Sequence, residues 1–293
     1  MQQQISLELR SQRVFFQQTQ IQTIRSLPTL ESIPSHDDAL EYCRSMTRRR
    51  RIRLPCSLSL GDLDLLRSWV NRKASGILIA EAHGIKTSSI DFAVDFLDSV
   101  DKAGVSSIWA LPQPAEEERA VTLEDLLISL ILQAISLNPN ALSEGVIPIA
   151  AFHFRKRESV EELLQLLRRS LKGLNFVIIV IDLTFLNKIL ERSKLLELDG
   201  FLEMLRGMME SHDGILKFVA LTWKSEALIP DMRREIIAAD VIATDPGLRK
   251  VRLMRNPRFR TVYNGQRGRL SSVFEARLRL GNTICGGSGN EPN

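Results

Sequence analysis

A strand-like run from Gly76 to Ala82 leads into His83-Gly84-Ile85-Lys86-Thr87-Ser88, and a helical pattern begins near Ser89. A lysine and a hydroxyl residue at a strand-to-helix junction are the groups that hold a polyphosphate. Backbone N–H groups at the helix start wrap the phosphates, the ammonium reaches the outer ones, and the hydroxyl binds Mg2+. The phosphate-loop pattern G-x-x-x-x-G-K-[ST] asks for glycine six residues and one residue before the lysine. Ala80 and Ile85 stand there instead, and Gly84 supplies a flexible position one residue early. A β-branched residue resists a left-handed backbone, at a cost of about 1–3 kcal/mol, so this loop is expected to follow a different path. The plain alternative is a strand-to-helix turn carrying a surface lysine.

Two further strand ends bear on the same chemistry. Phe176-Val177-Ile178-Ile179-Val180-Ile181 finishes in Asp182. A carboxylate at the end of a buried strand can hold Mg2+ directly or through water; it can equally cap the next helix. Leu216 to Thr222 runs into Trp223 and Lys224. A hydroxyl and a cation there could sense a terminal phosphate, or simply end a strand. The candidate nucleotide-binding set is Gly84, Lys86, Thr87, Ser88, Asp182 and Lys224, with Thr87 and Asp182 as the pair for Mg2+ and ATP or GTP as the ligand.

These groups need elements to hold them. Leu63, Leu65, Leu66, Trp69 and Val70 repeat at helical spacing. Ser89 to Lys102 reads as a helix with Phe92, Val94, Phe96, Leu97 and Val100 inward. Ser106 to Leu111 reads as a strand, and Thr122 with Asp125 opens a helix that runs to Leu137 and stops at Asn138-Pro139. Ile147 to Phe154 is expected to be a short extended segment. Ser159 with Glu162 caps a helix reaching Leu171 and ended by Gly173. The β-branched run before Asp182 suits a strand buried on both faces of a parallel sheet. Helices follow at Leu186–Leu196 and Phe201–His212, then the strand Leu216–Thr222 and a helix over Glu226–Ala239. Strands alternating with helices predict an α/β fold, a three-layer, mostly parallel sheet with helices on both faces. Residues 61–245 form this domain. Residues 1–60 are a Gln-rich lead and a linker with one helix, and residues 246–293 are an Arg-rich segment ending in a Gly/Ser/Asn tail expected to be disordered.

Composition narrows the classes. A hydrophobic fraction of 44% with 25% charged residues in 293 residues suits one substantial core. Three cysteines with no C-x-x-C pair, and four scattered histidines, give no disulfide framework and no metal cluster. The opening residues lack the basic and apolar regions of a signal peptide, and Leu126 to Leu137 is too short to span a bilayer. An intracellular protein, cytoplasmic or nuclear, is expected.

The order of these parts resembles a NACHT-type domain of the STAND class of P-loop NTPases, as found in fungal nephrocystin-like proteins. Trp69 matches the tryptophan ahead of the first strand, Lys86 and Thr87 match part of the Gly-Lys-Ser/Thr loop, and Leu126-Leu127-Ile128-Ser129-Leu130-Ile131-Leu132-Gln133 resembles the family's L-x-x-L-x-x-Q helix. Asp182 falls at the start of the family's D-A-L-D-E segment, and Thr222-Trp223-Lys224 resembles its Thr-Ser-Arg strand end. The resemblance covers about residues 61 to 230. It implies a nucleotide-binding fold. Where the family places its second acids, which orient the attacking water, this chain has Phe185 and Leu186. Positioning is most of phosphoryl-transfer catalysis, so the resemblance implies a degenerate NTPase with weak or no hydrolysis, serving regulation or a protein partner. Two other readings stand beside it. One is an interaction scaffold that kept only the fold. The other is a nucleic-acid adaptor acting through Arg48–Arg51 and the Arg249–Arg269 segment, where Phe259 and Tyr263 interleave the charges. The bland reading of both basic segments is a solvated linker or a strand-turn segment packed beside the sheet.

Overall fold

A computed structural model describes residues 2–31, 33, 35–51, 60–82, 88–113, 121–143, 149–154, 159–194, 196–223 and 239–244, with backbone alone at 2–7, 50, 51, 60, 61 and 88. The helices are α1 (Gln2–Arg25), α2 (His36–Arg51), α3 (Leu60–Asn71), α4 (Ser88–Lys102), α5 (Leu123–Leu137), α6 (Val160–Leu171), α7 (Leu183–Ser193) and α8 (Leu198–Glu210). The strands are β1 (Gly76–Ala82), β2 (Ser107–Ala110), β3 (Phe176–Asp182), β4 (Ile215–Trp223) and β5 (Asp240–Thr244). All strand pairs are parallel, in the order β2-β3-β4-β1-β5.

Side-chain alternation sorts the sheet into two apolar faces. Ile77, Ile79, Val177, Ile179, Ile181, Leu216, Phe218 and Ala220 pack with α1, α5, α6, α7 and α8. Leu78, Ala80, Ile178, Val180, Val219, Leu221 and Ile242 pack with α2, α3 and α4. The three layers and the parallel sheet agree with the sequence expectation. Their handedness follows from the path. From β1 the chain crosses to the far edge strand β2 over α4, then returns through β3 to β4 over the other layer. Right-handed crossovers running in opposite directions must lie on opposite faces.

Local signals hold where the backbone chemistry is self-contained. Thr122 and Asp125 form a reciprocal capping box on α5, and Ser159 and Glu162 form one on α6. Gly173, at φ +89°, ends the turn after α6. Phe92, Val94, Phe96, Leu97 and Val100 are all buried on α4. Gln133 on α5 works as a substitute strand for the sheet edge: its Oε1 accepts the Trp109 N–H at 2.9 Å, and its Nε2 donates to the Trp109 carbonyl at 2.9 Å. That pairing satisfies backbone groups which an edge strand otherwise leaves open.

Two expectations need revision. Ala151–Phe154 is a 3-10 turn and not an extended segment. The His153 ring nitrogen takes the Ala150 N–H at 3.1 Å, so a side chain closes the backbone locally in place of a sheet partner. The one helix expected in the linker, α2, is part of the packed fold, because its Leu40 and Cys43 are buried against α4. Within the expected 61–245 domain, β5 adds a fifth strand that the sequence reading did not name, beside β1 through the short run Val241-Ile242-Ala243. The Gln-rich lead is the helix α1, tied down in its second half by Gln17, whose Nε2 donates to Asn140 at 3.1 Å and to Ser143 at 3.0 Å. The helix expected over Glu226–Ala239 and the Arg249–Arg269 segment lie outside the described residues, apart from Ala239, which leads into β5. Among the described residues no helix is long and apolar enough to cross a membrane.

Candidate functional site

In an open parallel sheet, ligands bind outside the carboxyl ends of the strands, where two neighbouring strands send their connections in opposite directions. That point lies between β1 and β4. From β1 the chain runs toward β2 at one edge, and from β4 it runs past β1 to β5 at the other. β1 ends there at Ala82, and the next described residue is Ser88, the start of α4.

The carboxyl edge is also where the sheet turns polar. Glu81, Asp182, Thr222 and Thr244 occupy the last or next-to-last positions of their strands, each 6% exposed or less, and Ser89 and Asp91 are buried in the opening turns of α4. Register places Asp182 beside Leu221, Thr222 beside Glu81, and Thr244 beside Ala82. Alternation then divides them. Asp182 follows Val180 on the face covered by α4, as Thr244 follows Ile242; Glu81 and Thr222 follow Ile79 and Ala220 onto the opposite face. The sheet thus brings Asp182 to the side on which α4 begins and directs Thr222 away from it. Glu81 was not singled out from the sequence. Its signal was an acid inside an otherwise apolar strand.

Asp182 has a structural task. It is the N-cap of α7, and its Oδ1 accepts the Phe185 N–H at 2.9 Å. The capping alternative considered from sequence is therefore realised, and it occupies one carboxylate oxygen in this contact. Phe185 and Leu186, at the positions where water-orienting acids were sought, are buried among α7 core residues. Ala80, at the place of the pattern's first glycine, is fully buried in the ladder between Leu221 and Ile242. The ladder continues through Ala82, so Ala80, Glu81 and Ala82 belong to the strand and five residues separate its end from Ser88. Gly84, Lys86, Thr87 and Lys224 lie outside the described residues; Ser88 is the first residue of α4, described by its backbone alone. Among the described residues no group of three or more His, Cys, Asp or Glu side chains could hold a metal ion.

One titratable group borders this edge. His36 opens α2, its ring edge-on to Trp109 with centroids 5.7 Å apart, and the Trp109 indole N–H donates to the His36 carbonyl at 3.1 Å. Burial lowers the His36 pKa below the ordinary 6.5; nearby Asp37 and Asp38 pull it up, and Arg25 adds to the lowering. The folded chain therefore binds this proton less readily than the unfolded chain. The associated stability is complete above 6.5 and is lost as pH falls toward the lowered folded value. Melting temperature is expected to decline on acidification from about pH 7 to about pH 5, with a shallower slope in His36→Asn. An unchanged slope would show that His36 is not the group responsible.

No family model matches the chain, and the search of curated proteins finds no match.

Proposed function

We propose that the chain is a degenerate P-loop-type nucleotide module that binds Mg2+ with ATP or GTP at the carboxyl edge of β1, hydrolyses it weakly or not at all, and serves regulation or a protein partner. The observation that carries this reading is the strand order. It sets the ends that flank Lys86 and Thr87 in the sequence, Ala82 of β1 and Ser88 of α4, at the β1–β4 side of the sheet, and strand alternation supports Asp182 on the face that α4 covers. In this reading Lys86 contacts the phosphates, with Gly84 and Ser88 contributing backbone to the same loop. Thr87 and Asp182 share the Mg2+, and Lys224 approaches the terminal phosphate. The metal would neutralise charge on the phosphate oxygens.

Two observations support weak chemistry. The first three positions of the phosphate-loop pattern, Ala80 to Ala82, are in the strand ladder, so fewer residues are left before Ser88 to wrap a phosphate than the full pattern supplies. The buried Phe185 and Leu186 have no group that could orient an attacking water.

The experiment is a thermal-shift series on the full chain with ATP and GTP, with and without Mg2+. Site binding must raise the melting temperature by mass action, and saturation at 100 times Kd is worth about 2.7 kcal/mol. An upward shift is expected that is lost in Lys86→Ala, with phosphate release near background. The absence of any shift at millimolar nucleotide would overturn binding, and brisk turnover would overturn the degenerate assignment. The scaffold reading is favoured by one observation, the exposure of Leu9, Val14, Phe15 and Phe16 on α1, and it requires that no nucleotide changes the melting temperature.

A further inference from the structure

At the amino edge of the sheet, opposite the candidate site, lies a polar groove. α6 ends at Leu171 and leads into β3 at Phe176; α8 ends at Glu210 and leads into the neighbouring strand β4 at Ile215. Between these two helix ends is a cavity of about 400 Å3. Its walls are Gln165, Arg168, Arg169 and Lys172 on the α6 side, and Ser211, His212 and Asp213 in the turn that precedes β4. That volume lies within the range of small-molecule sites, about 300–1,000 Å3. One wall is pinned: the His212 Nε2–H donates to the Leu174 carbonyl at 3.1 Å.

Helix capping does not account for these cations. Basic side chains at a carboxyl end usually complement open carbonyls, but here those carbonyls have other donors. The Lys172 and Leu174 N–H groups donate to Arg169 and Leu171, and Asn138 Nδ2 donates to the Ser170 carbonyl at 3.0 Å and the Lys172 carbonyl at 2.8 Å. Arg168 makes one long contact, from Nη2 to the Ser211 carbonyl at 3.5 Å. Among the described residues, Arg168, Lys172 and Asp213 have no ion pair. Asp213 thus faces the same cavity as the cations and lies beyond their reach. Arg168 and Lys172 stand four positions apart, where like charges on a helix repel. An anion held between them converts that repulsion into attraction.

We propose that this groove binds a compact, hydrophilic molecule with two or more adjacent phosphate groups, of the short-polyphosphate class. A guanidinium meets phosphate oxygens with paired N–H donors, and an ammonium adds a point charge. Side chains on successive helical turns start about 5–6 Å apart, so Arg168 and Lys172 can engage neighbouring phosphates together, whereas a lone phosphate engages them less fully. The lining has no Phe, Tyr or Trp on which a base could stack, so a nucleoside adds nothing to affinity. Its one carboxylate, Asp213, belongs to no metal-holding group, so Mg2+ weakens binding by neutralising the ligand. This dependence is opposite to that of the nucleotide site proposed above, and neither site requires the other.

The test is calorimetric titration of the full chain with tripolyphosphate and with orthophosphate, in EDTA and then in Mg2+. Tripolyphosphate is expected to bind at least about tenfold more tightly than orthophosphate, and less tightly once Mg2+ is added. Arg168→Gln/Lys172→Gln should lower its affinity about tenfold. Asp213→Asn should raise it about two- to threefold, a gain that misfolding cannot mimic. Arg67→Gln/Lys102→Gln removes the same charge from α3 and α4, in the other helical layer, and should leave the affinity within about twofold. Lys86→Ala should do the same. No binding of tripolyphosphate at millimolar concentration overturns the inference. Equal losses in the two double variants overturn it as a general charge effect. A loss in Lys86→Ala with none in the groove variant overturns it by moving the phosphates to the far edge of the sheet, and there it leaves the nucleotide reading intact.

Discussion

Trp69→Ala is expected to cost about 3–5 kcal/mol, a large part of the roughly 5–15 kcal/mol that holds a domain folded. Trp69 is fully buried at the end of α3. Its ring lies 5.0 Å beneath the Lys217 ammonium, and its backbone carbonyl accepts from Lys217 Nζ at 2.7 Å. Lys217 is itself fully buried in the central strand β4. Removing the ring leaves a void and takes away an aromatic face that the ammonium uses in place of water. Trp69→Phe should cost much less, because an aromatic face remains. The indole Nε1, which has no hydrogen-bond partner among the described residues, is removed with its desolvation penalty. Urea titration of the three proteins checks this: the midpoint should move strongly for alanine and modestly for phenylalanine at a similar m value. Equal small shifts would mean that α3 does not seal this face of the sheet.

At Asp182 two substitutions separate a structural role from a functional one. Asp182→Ala removes the cap on α7 and should lower stability by about 0.5–2 kcal/mol without any ligand. Asp182→Asn keeps an acceptor oxygen for the Phe185 N–H, since asparagine caps helices as well as aspartate does. It should fold with near wild-type stability while losing the charge that a metal needs. On the proposed reading, Asp182→Asn then weakens Mg2+-dependent nucleotide binding by about 100-fold, the upper end of what disturbing a metal's surroundings costs. Calorimetric titration with and without Mg2+ reads this directly. If the asparagine variant keeps its full Mg2+-dependent affinity, Asp182 is a helix cap and nothing more.

What could be read in advance depended on how local the physics was. The caps at Thr122 and Ser159 and the inward face of α4 were legible because each is settled within a few residues, by a side chain reaching a backbone N–H three positions on or by helical periodicity. The both-face burial of β3 was legible from its unbroken β-branched run. The candidate set was legible only as residue types at strand ends. Glu81 went unnoticed because a single acid within an apolar strand has no periodic signature. The 3-10 turn at Ala151–Phe154 was misread because the decisive bond comes from the His153 ring to the Ala150 N–H, which apolar patterning does not encode.

Sequence alone determined the α/β class, most strand and helix positions, and the chemistry on offer at Lys86, Thr87 and Asp182. Only the tertiary structure decided that β4 lies between β3 and β1, that β5 closes the other edge, and that Asp182 rather than Thr222 shares a face with α4. Strand order and the pairing of α2 with α4 join residues about forty or more positions apart. Such contacts arise from burying complementary apolar faces and buried polar pairs, and no local pattern in the chain specifies them.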